Sequence, residues 1–232
     1  MRKLASTLRF ISAYVRLVRN PAQLDVVFKL IGGADGSDQS GAFERFFGRD
    51  DVQALIARRM PPLELDLVAL RRLPEGTVGR AFAEFIDVRG FDITDLHHHN
   101  AVDSSDPVVQ VKLHLERSHD LWHVVTGFDT DVAGELGLQA FYLANIDTPV
   151  ALAILSGGLL NALLRDPADG RRRLEAVAIG WRHGKAARSF MGLDWAALLR
   201  RPLAEVRAEL GITEAMAVEA GRLGAAPLAA AA

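Results

Sequence analysis

His119-Asp120-Leu121-Trp122-His123, then eleven residues, then Glu135, is the stretch of this chain whose residue types and spacing can do chemistry. On an α-helix, His119 and His123 share one face, about 40° apart around the axis. Asp120 flanks that face, so the trio covers an arc of about 100°. Glu135 must come from a second helix folded back on the first. Neutral imidazoles and carboxylates are ligands for a divalent cation such as zinc, iron or manganese. The competing reading is a buried His–Asp–Glu hydrogen-bond network without a cation. The pattern is not the HExxH of zinc peptidases, because aspartate stands where the glutamate base would be.

The elements that position these residues are legible around them. Val108 to Thr126 reads as the helix carrying the motif, Gly127 as its terminator, and Asp129, Thr130 or Asp131 as the cap of the Glu135 helix. From Leu136 to Leu164 the only charge is Asp147. Its uncharged part, Thr148 to Leu164, is seventeen residues long with Pro149 and Gly157-Gly158 inside. A membrane span wants about 20 apolar residues, so a buried helical hairpin is the better reading. A carboxylate at Glu135, in such apolar company, needs a partner to offset its desolvation.

Elsewhere the pattern is helical too. A second helix starts at Asn20-Pro21, Gly32 to Gly41 is a turn-rich linker, and Ala42 to Arg59 contains another helical stretch. Asp66 to Leu73 is a short segment, and Thr77 caps a helix over Val78 to Val88 whose apolar side holds Phe82, Phe85 and Ile86. Further helices are expected at 149–164, 171–190, 203–210 and near 213–223. Period-two alternation is rare. The expectation is an all-α, single-domain multi-helix bundle over residues 1–224, to which the family resemblance given below adds an apolar lipid-binding cavity, followed by a flexible Ala-rich tail at 225–232.

Composition narrows the classes. The chain has 232 residues, half of them apolar, enough to bury a core. A net charge of −2 argues against nucleic-acid binding through bulk positive charge. Without cysteine there are no disulfides, thiolate metal sites or thiol nucleophiles. Residues 1–19 form a basic amphipathic helix with Arg2, Arg9 and Arg16 at heptad spacing. It reads as a membrane-surface contact, a transit segment or an ordinary first helix. His97-His98-His99 sits in a polar loop and reads as solvated rather than ligating. Arg171-Arg172-Arg173 suits a phosphate, a carboxylated substrate or lipid headgroups, although a solvated helical face is the preferred reading. P-loop, GxGxxG and G-x-S-x-G motifs are absent.

The chain resembles the Coq-four family of coenzyme Q (ubiquinone) biosynthesis. The HDxxH…Glu set, His119, Asp120, His123 and Glu135, matches that family's motif. Leu73-Pro74-Glu75-Gly76-Thr77-Val78-Gly79-Arg80 resembles its LPxGTLG segment. Gly184 through Ala187, Asp194-Trp195 and Pro202-Leu203 resemble its C-terminal pattern. Two positions depart: Phe82 stands where the family often has tyrosine, and His114 to Ser118 replaces a more arginine-rich approach to the motif. The resemblance implies an all-α fold, a divalent metal on the four motif residues and a hydrophobic site for a polyprenyl lipid. It also implies a peripheral place on the membrane that holds the quinone pool: the bacterial inner membrane from the cytoplasmic side, or the mitochondrial inner membrane from the matrix. The implied activity is removal of the ring carboxylate of a polyprenyl-hydroxybenzoate intermediate, with hydroxylation at the same carbon. Its implied partners are a polyprenylated aromatic or isoprenoid lipid, the membrane surface and other ubiquinone biosynthesis proteins, and a homodimer is compatible. His119 and His123 then serve as imidazole ligands, Glu135 as a carboxylate ligand, and Asp120 as a fourth ligand or an orienting group. The alternatives are a non-catalytic lipid-binding scaffold that organises the biosynthetic enzymes, and a metal-dependent hydrolase of polyprenyl phosphates.

Overall fold

The structure, a computed structural model, describes residues 41–91 and 106–224. In chain order these form α1 (Ala42–Phe47), α2 (Asp50–Arg58), α3 (Leu67–Leu70), α4 (Val78–Arg89), α5 (Pro107–Thr126), α6 (Val132–Ile146), α7 (Pro149–Arg165), α8 (Gly170–Ala186), α9 (Trp195–Leu198), α10 (Leu203–Leu210) and α11 (Glu214–Gly221). The described residues contain no strand, only an isolated antiparallel bridge between Thr77 and Pro202. The all-α expectation is met. The basic helix at 1–19, the helix begun at Pro21, the His97-His98-His99 run and the tail lie outside the described residues.

One expected helical stretch is divided in two, and one helix ends earlier than expected. The stretch from Ala42 to Arg59 divides at Gly48-Arg49, where Arg49 adopts extended geometry (φ −69, ψ 141) before α2. The helix expected to run to residue 190 stops at Ala186, because Ala187 is extended (φ −76, ψ 153). Contacts group the chain into two compact units, each built from separated stretches. One comprises residues 48–127 and 188–217; the other comprises, among the described residues, 41–47, 128–187 and 218–224.

The first unit is built around α5. Asp106 caps it by accepting from the Val108 amide at 2.8 Å, and Pro107 stands in the first turn, where a missing N–H costs nothing. At the other end Gly127 (φ +85) closes the helix through its amide to the His123 carbonyl. A Cβ at Gly127 would fall onto the backbone of Ala217. Two carbonyls of the last turn, Val124 and Val125, accept from Arg207 of α10 at 3.0 and 2.9 Å, which places a cation at the negative helix end. Trp122, fully buried, packs against Phe190 with centroids 4.9 Å apart, and Phe190 meets Trp195 at 6.1 Å.

Backbone pairing joins two of the segments singled out in the sequence. Val78 and Gly79 donate to the carbonyls of Arg201 and Leu199, and Leu203 donates to Gly76. Thr77 caps α4 and donates its own hydroxyl to Pro74. Gly79 cannot carry a side chain there, since a Cβ would lie 2.7 Å from Leu73 and 3.0 Å from the Leu199 carbonyl. The LPEGTVGR segment therefore anchors α4, which in turn packs on α5. Phe82 is fully buried on α4, at a position that packs rather than faces solvent.

The second unit is the expected hairpin, α6 and α7, completed by α8. Asp147 in left-handed geometry (φ 54) ends α6, and Thr148-Pro149 starts α7. Glycines let the backbones approach: a Cβ at Gly180 on α8 would overlap the Gly137 carbonyl of α6, and one at Gly184 would lie 2.6 Å from the Phe141 oxygen. Neither carbonyl can rotate away. For Gly180→Ala the overlap costs about 3 kcal/mol, the upper end of overpacking. The gain in helix propensity is only ~1 kcal/mol. A net loss of about 2 kcal/mol is expected, read as a lower urea midpoint at unchanged m.

Among the described residues no helix is long and apolar enough to cross a membrane. A cleft of about 520 Å³ in the second unit is lined by Asp131, Asp166, Asp169, Arg172 and Arg173 along with two apolar residues. Its charge makes it unlike the apolar cavity expected for a lipid tail.

Candidate metal centre

Three of the four motif residues come together on α5. His119 and His123 direct their Nε2 atoms at each other across 3.3 Å, with ring planes perpendicular. Together with a carboxylate oxygen of Asp120 their ligand atoms all lie within 4.8 Å of one another. Two nitrogens each about 2.05 Å from one tetrahedral cation are separated by roughly 3.3–3.4 Å. The observed spacing fits, and the donor set of two imidazoles and a carboxylate suits zinc, iron or manganese. Without a cation, the same spacing accommodates an imidazole N–H donating to its neighbour's lone pair.

The surroundings hold this geometry. His123 is only 1 % exposed, whereas His119 and Asp120 are half-buried. The Phe85 ring of α4 stacks on His123, with centroids 5.8 Å apart and planes at 26°. The Arg89 guanidinium lies over Phe85 at 3.8 Å and donates to the Phe85 carbonyl. A permanent cation thus sits one ring away from His123. Glu116 lies one turn before His119 on the same arc of α5 and pairs with Lys112 at 3.4 Å. Behind the motif, Trp122 donates to Ser118, and Ser118 to the His114 carbonyl, which fixes the helix's inner face.

Glu135 is carried by the other unit. It stands in the first turn of α6, half-buried, beneath the cap in which Asp131 accepts from the Gly134 amide at 2.9 Å. Of the three capping candidates, Asp131 is the one that caps.

The arginine triplet is not a uniform solvated face. Arg171 is exposed and pairs with Glu175. Arg172 joins Asp169 to Asp131. Arg173 is buried, donating to Asp169 at 2.7 Å, Asn161 at 2.8 Å, Asp166 at 3.1 Å and the Gly158 carbonyl at 3.2 Å. Each of these arginines therefore has carboxylate partners within the protein.

Two histidines outside the motif link stability to pH. Burial pushes His114 from the ordinary 6.5 down to about 4. Burial also lowers His183, against the opposing pull of Glu219 at 2.9 Å. The unfolded chain takes up a proton near pH 6.5 that folded His114 refuses until about pH 4. Its contribution to stability is complete above 6.5 and is lost as the pH falls toward 4. Between pH 6.5 and 5 the loss is expected on the order of 1–2 kcal/mol by urea denaturation, and His114→Gln should flatten the profile.

The family described as Coenzyme Q (ubiquinone) biosynthesis protein Coq4 matches residues 42–216. A mitochondrial ubiquinone biosynthesis protein coq4 of Talaromyces stipitatus is 33 % identical over 156 residues, 66 % of this chain and 52 % of that protein. Its counterpart in Aspergillus fumigatus is 32 % identical over 150 residues, 64 % of this chain and 50 % of that protein. The chain thus spans about half the length of the curated relatives it matches. A crystal structure from Nostoc punctiforme, provisionally named for ubiquinone biosynthesis, superposes with a TM-score of 0.75 at 29 % identity. That likeness covers 89 % of this chain and 98 % of the other.

Proposed function

Because the chain belongs to the Coenzyme Q (ubiquinone) biosynthesis protein Coq4 family, we propose that it acts on a polyprenyl-hydroxybenzoate intermediate at a lipid surface. The ring carboxylate leaves as CO2 and a hydroxyl takes its place, an oxidation that draws on an external oxidant such as O2. The observation that carries this reading is the convergence of the His119 and His123 nitrogens with the Asp120 carboxylate. His119, Asp120 and His123 would hold a divalent cation, and the motif spacing alone names Glu135 as a further candidate ligand. When bound, the cation polarises the carboxylate or phenolate oxygen of the substrate.

The protein's own residues do the rest. Phe85 fixes the plane of His123, and the burial of that ring keeps water from its inner face. Half-buried His119 and Asp120 form the open side, where an aromatic acid approaches. Arg89, held on Phe85, supplies positive charge toward an arriving carboxylate. The test is purified protein under air with a short-chain prenylated hydroxybenzoate, followed by mass spectrometry of the ring product and metal analysis of the protein. A product lacking the carboxylate and carrying one more hydroxyl supports the reading. Phosphate release from a polyprenyl diphosphate would instead make the protein a hydrolase. Persistent inactivity, with motif substitutions that lower the recovery of other biosynthetic enzymes, would make it a scaffold.

A further inference from the structure

We propose that the outward face of α7 seats the protein on an anionic bilayer, with Leu152, Leu163 and Leu164 entering the headgroup region. This deepens the lipid-surface part of the function proposed above. Helix α7 runs seventeen residues, and its only charge is Arg165 at the last turn. Its inner side, with Leu155, Gly158 and Ala162, packs within the unit. The opposite arc, about 100° wide, carries Leu152, Ser156, Leu159, Leu160 and Leu163, with Leu164 at its edge. Leu152, Leu163 and Leu164 are 58, 72 and 64 % exposed. Ser156 donates its hydroxyl to the Ala153 carbonyl of its own helix. Single exposed leucines are ordinary on a protein surface, but a contiguous stripe of them marks an interaction site.

Size and charge select the occupant. Seventeen residues make a stripe about 25 Å long and roughly 10 Å wide, on the order of 250 Å². A stable protein interface buries about 800 Å² per partner, with aromatic and arginine anchors at its centre. The α7 stripe is too small for that and carries no aromatic residue. It is also shorter than the ~20 residues of a span, yet suits a helix lying in the plane of the membrane. Charge agrees. At the C-terminal end of α7, Arg165 is exposed and the neighbouring acids Asp166 and Asp169 are held by Arg173 and Arg172, while a further exposed acid, Asp147, flanks the helix beyond its other end. On α8, Leu174 and Trp181 are exposed as well, and tryptophan favours the membrane–water boundary.

The experiment is flotation of the full chain with phosphatidylcholine vesicles, with and without about 30 % phosphatidylglycerol. The wild type should float with the anionic vesicles. The triple variant Leu152→Glu, Leu163→Glu, Leu164→Glu should bind at least about tenfold less, with unchanged circular dichroism. Should the triple variant fold poorly, Leu163→Asn serves as a milder probe and should lose binding in the same direction. Equal flotation of variant and wild type overturns the proposal. So does a wild-type dimer that the variant converts to monomer, because the face is then covered by a second copy. Turnover of a short-chain prenylated acid in detergent separates this from the catalytic reading: the variant should retain it while losing the vesicles.

Discussion

Replacing His119 with alanine is expected to lower the affinity for a divalent cation by at least about a hundredfold and to remove turnover. Losing a group that merely orients a metal ligand costs 10–100-fold, so losing the ligand itself sets the lower bound. His119 is the better probe of the pair. His123 is only 1 % exposed and stacked on Phe85, so its truncation also opens a cavity and mixes a packing loss with the chemical one. Half-buried His119 lacks that complication. Phe85→Ala should fall between wild type and ligand variants, about tenfold weaker in cation affinity, because both nitrogens remain while the His123 ring is freed to turn. Metal content by mass spectrometry and turnover by chromatography, with circular dichroism as a folding control, decide the matter. Full metal content and full turnover in His119→Ala would sink the assignment. Loss of the metal with turnover intact would leave a structural cation and move the chemistry elsewhere.

What the sequence makes legible follows from how local each signal is. The motif helix can be read because Gly127 ends it and the fourfold spacing of two histidines places them on one face, whereas its Asp106-Pro107 start is seen only in the fold. The hairpin can be read because Asp147 is the only charge between Leu136 and Leu164. Pairings between distant segments leave no such trace. Phe85 counts as one apolar residue among several on α4, and nothing in its spacing says that it stacks on a histidine 38 positions later. Arg207 looks like any exposed helix cation, yet it satisfies the last carbonyls of α5. The exposed leucines of α7 escape notice for the opposite reason. An apolar, uncharged run suggests burial, and only the fold shows that one arc of it meets solvent.

Arg173 is the strongest case of that hidden context and carries the second large effect. In the sequence it is the third of three arginines; in the fold its guanidinium is 4 % exposed and reaches two carboxylates, one side-chain amide and one carbonyl. Arg173→Met keeps the length of the stem but removes every donor. Asp169, itself only 18 % exposed, would then retain Arg172 but lose its second cation, and the Asn161 and Gly158 oxygens would lose a donor. Breaking a buried pair from one side costs about 3–5 kcal/mol, because the remaining charge stays desolvated. That is a large share of the roughly 5–15 kcal/mol by which a folded domain is stable. Arg173→Lys should recover only part of the loss, since one ammonium cannot reproduce a fork that reaches Asp169 and Asp166 on one side and Gly158 on the other. Urea denaturation of the three proteins measures this directly. A loss below about 1 kcal/mol for Arg173→Met would mean that the triplet behaves as a solvated face after all. Adding Asp169→Asn to Arg173→Met should not restore the stability, because that carboxylate also holds Arg172.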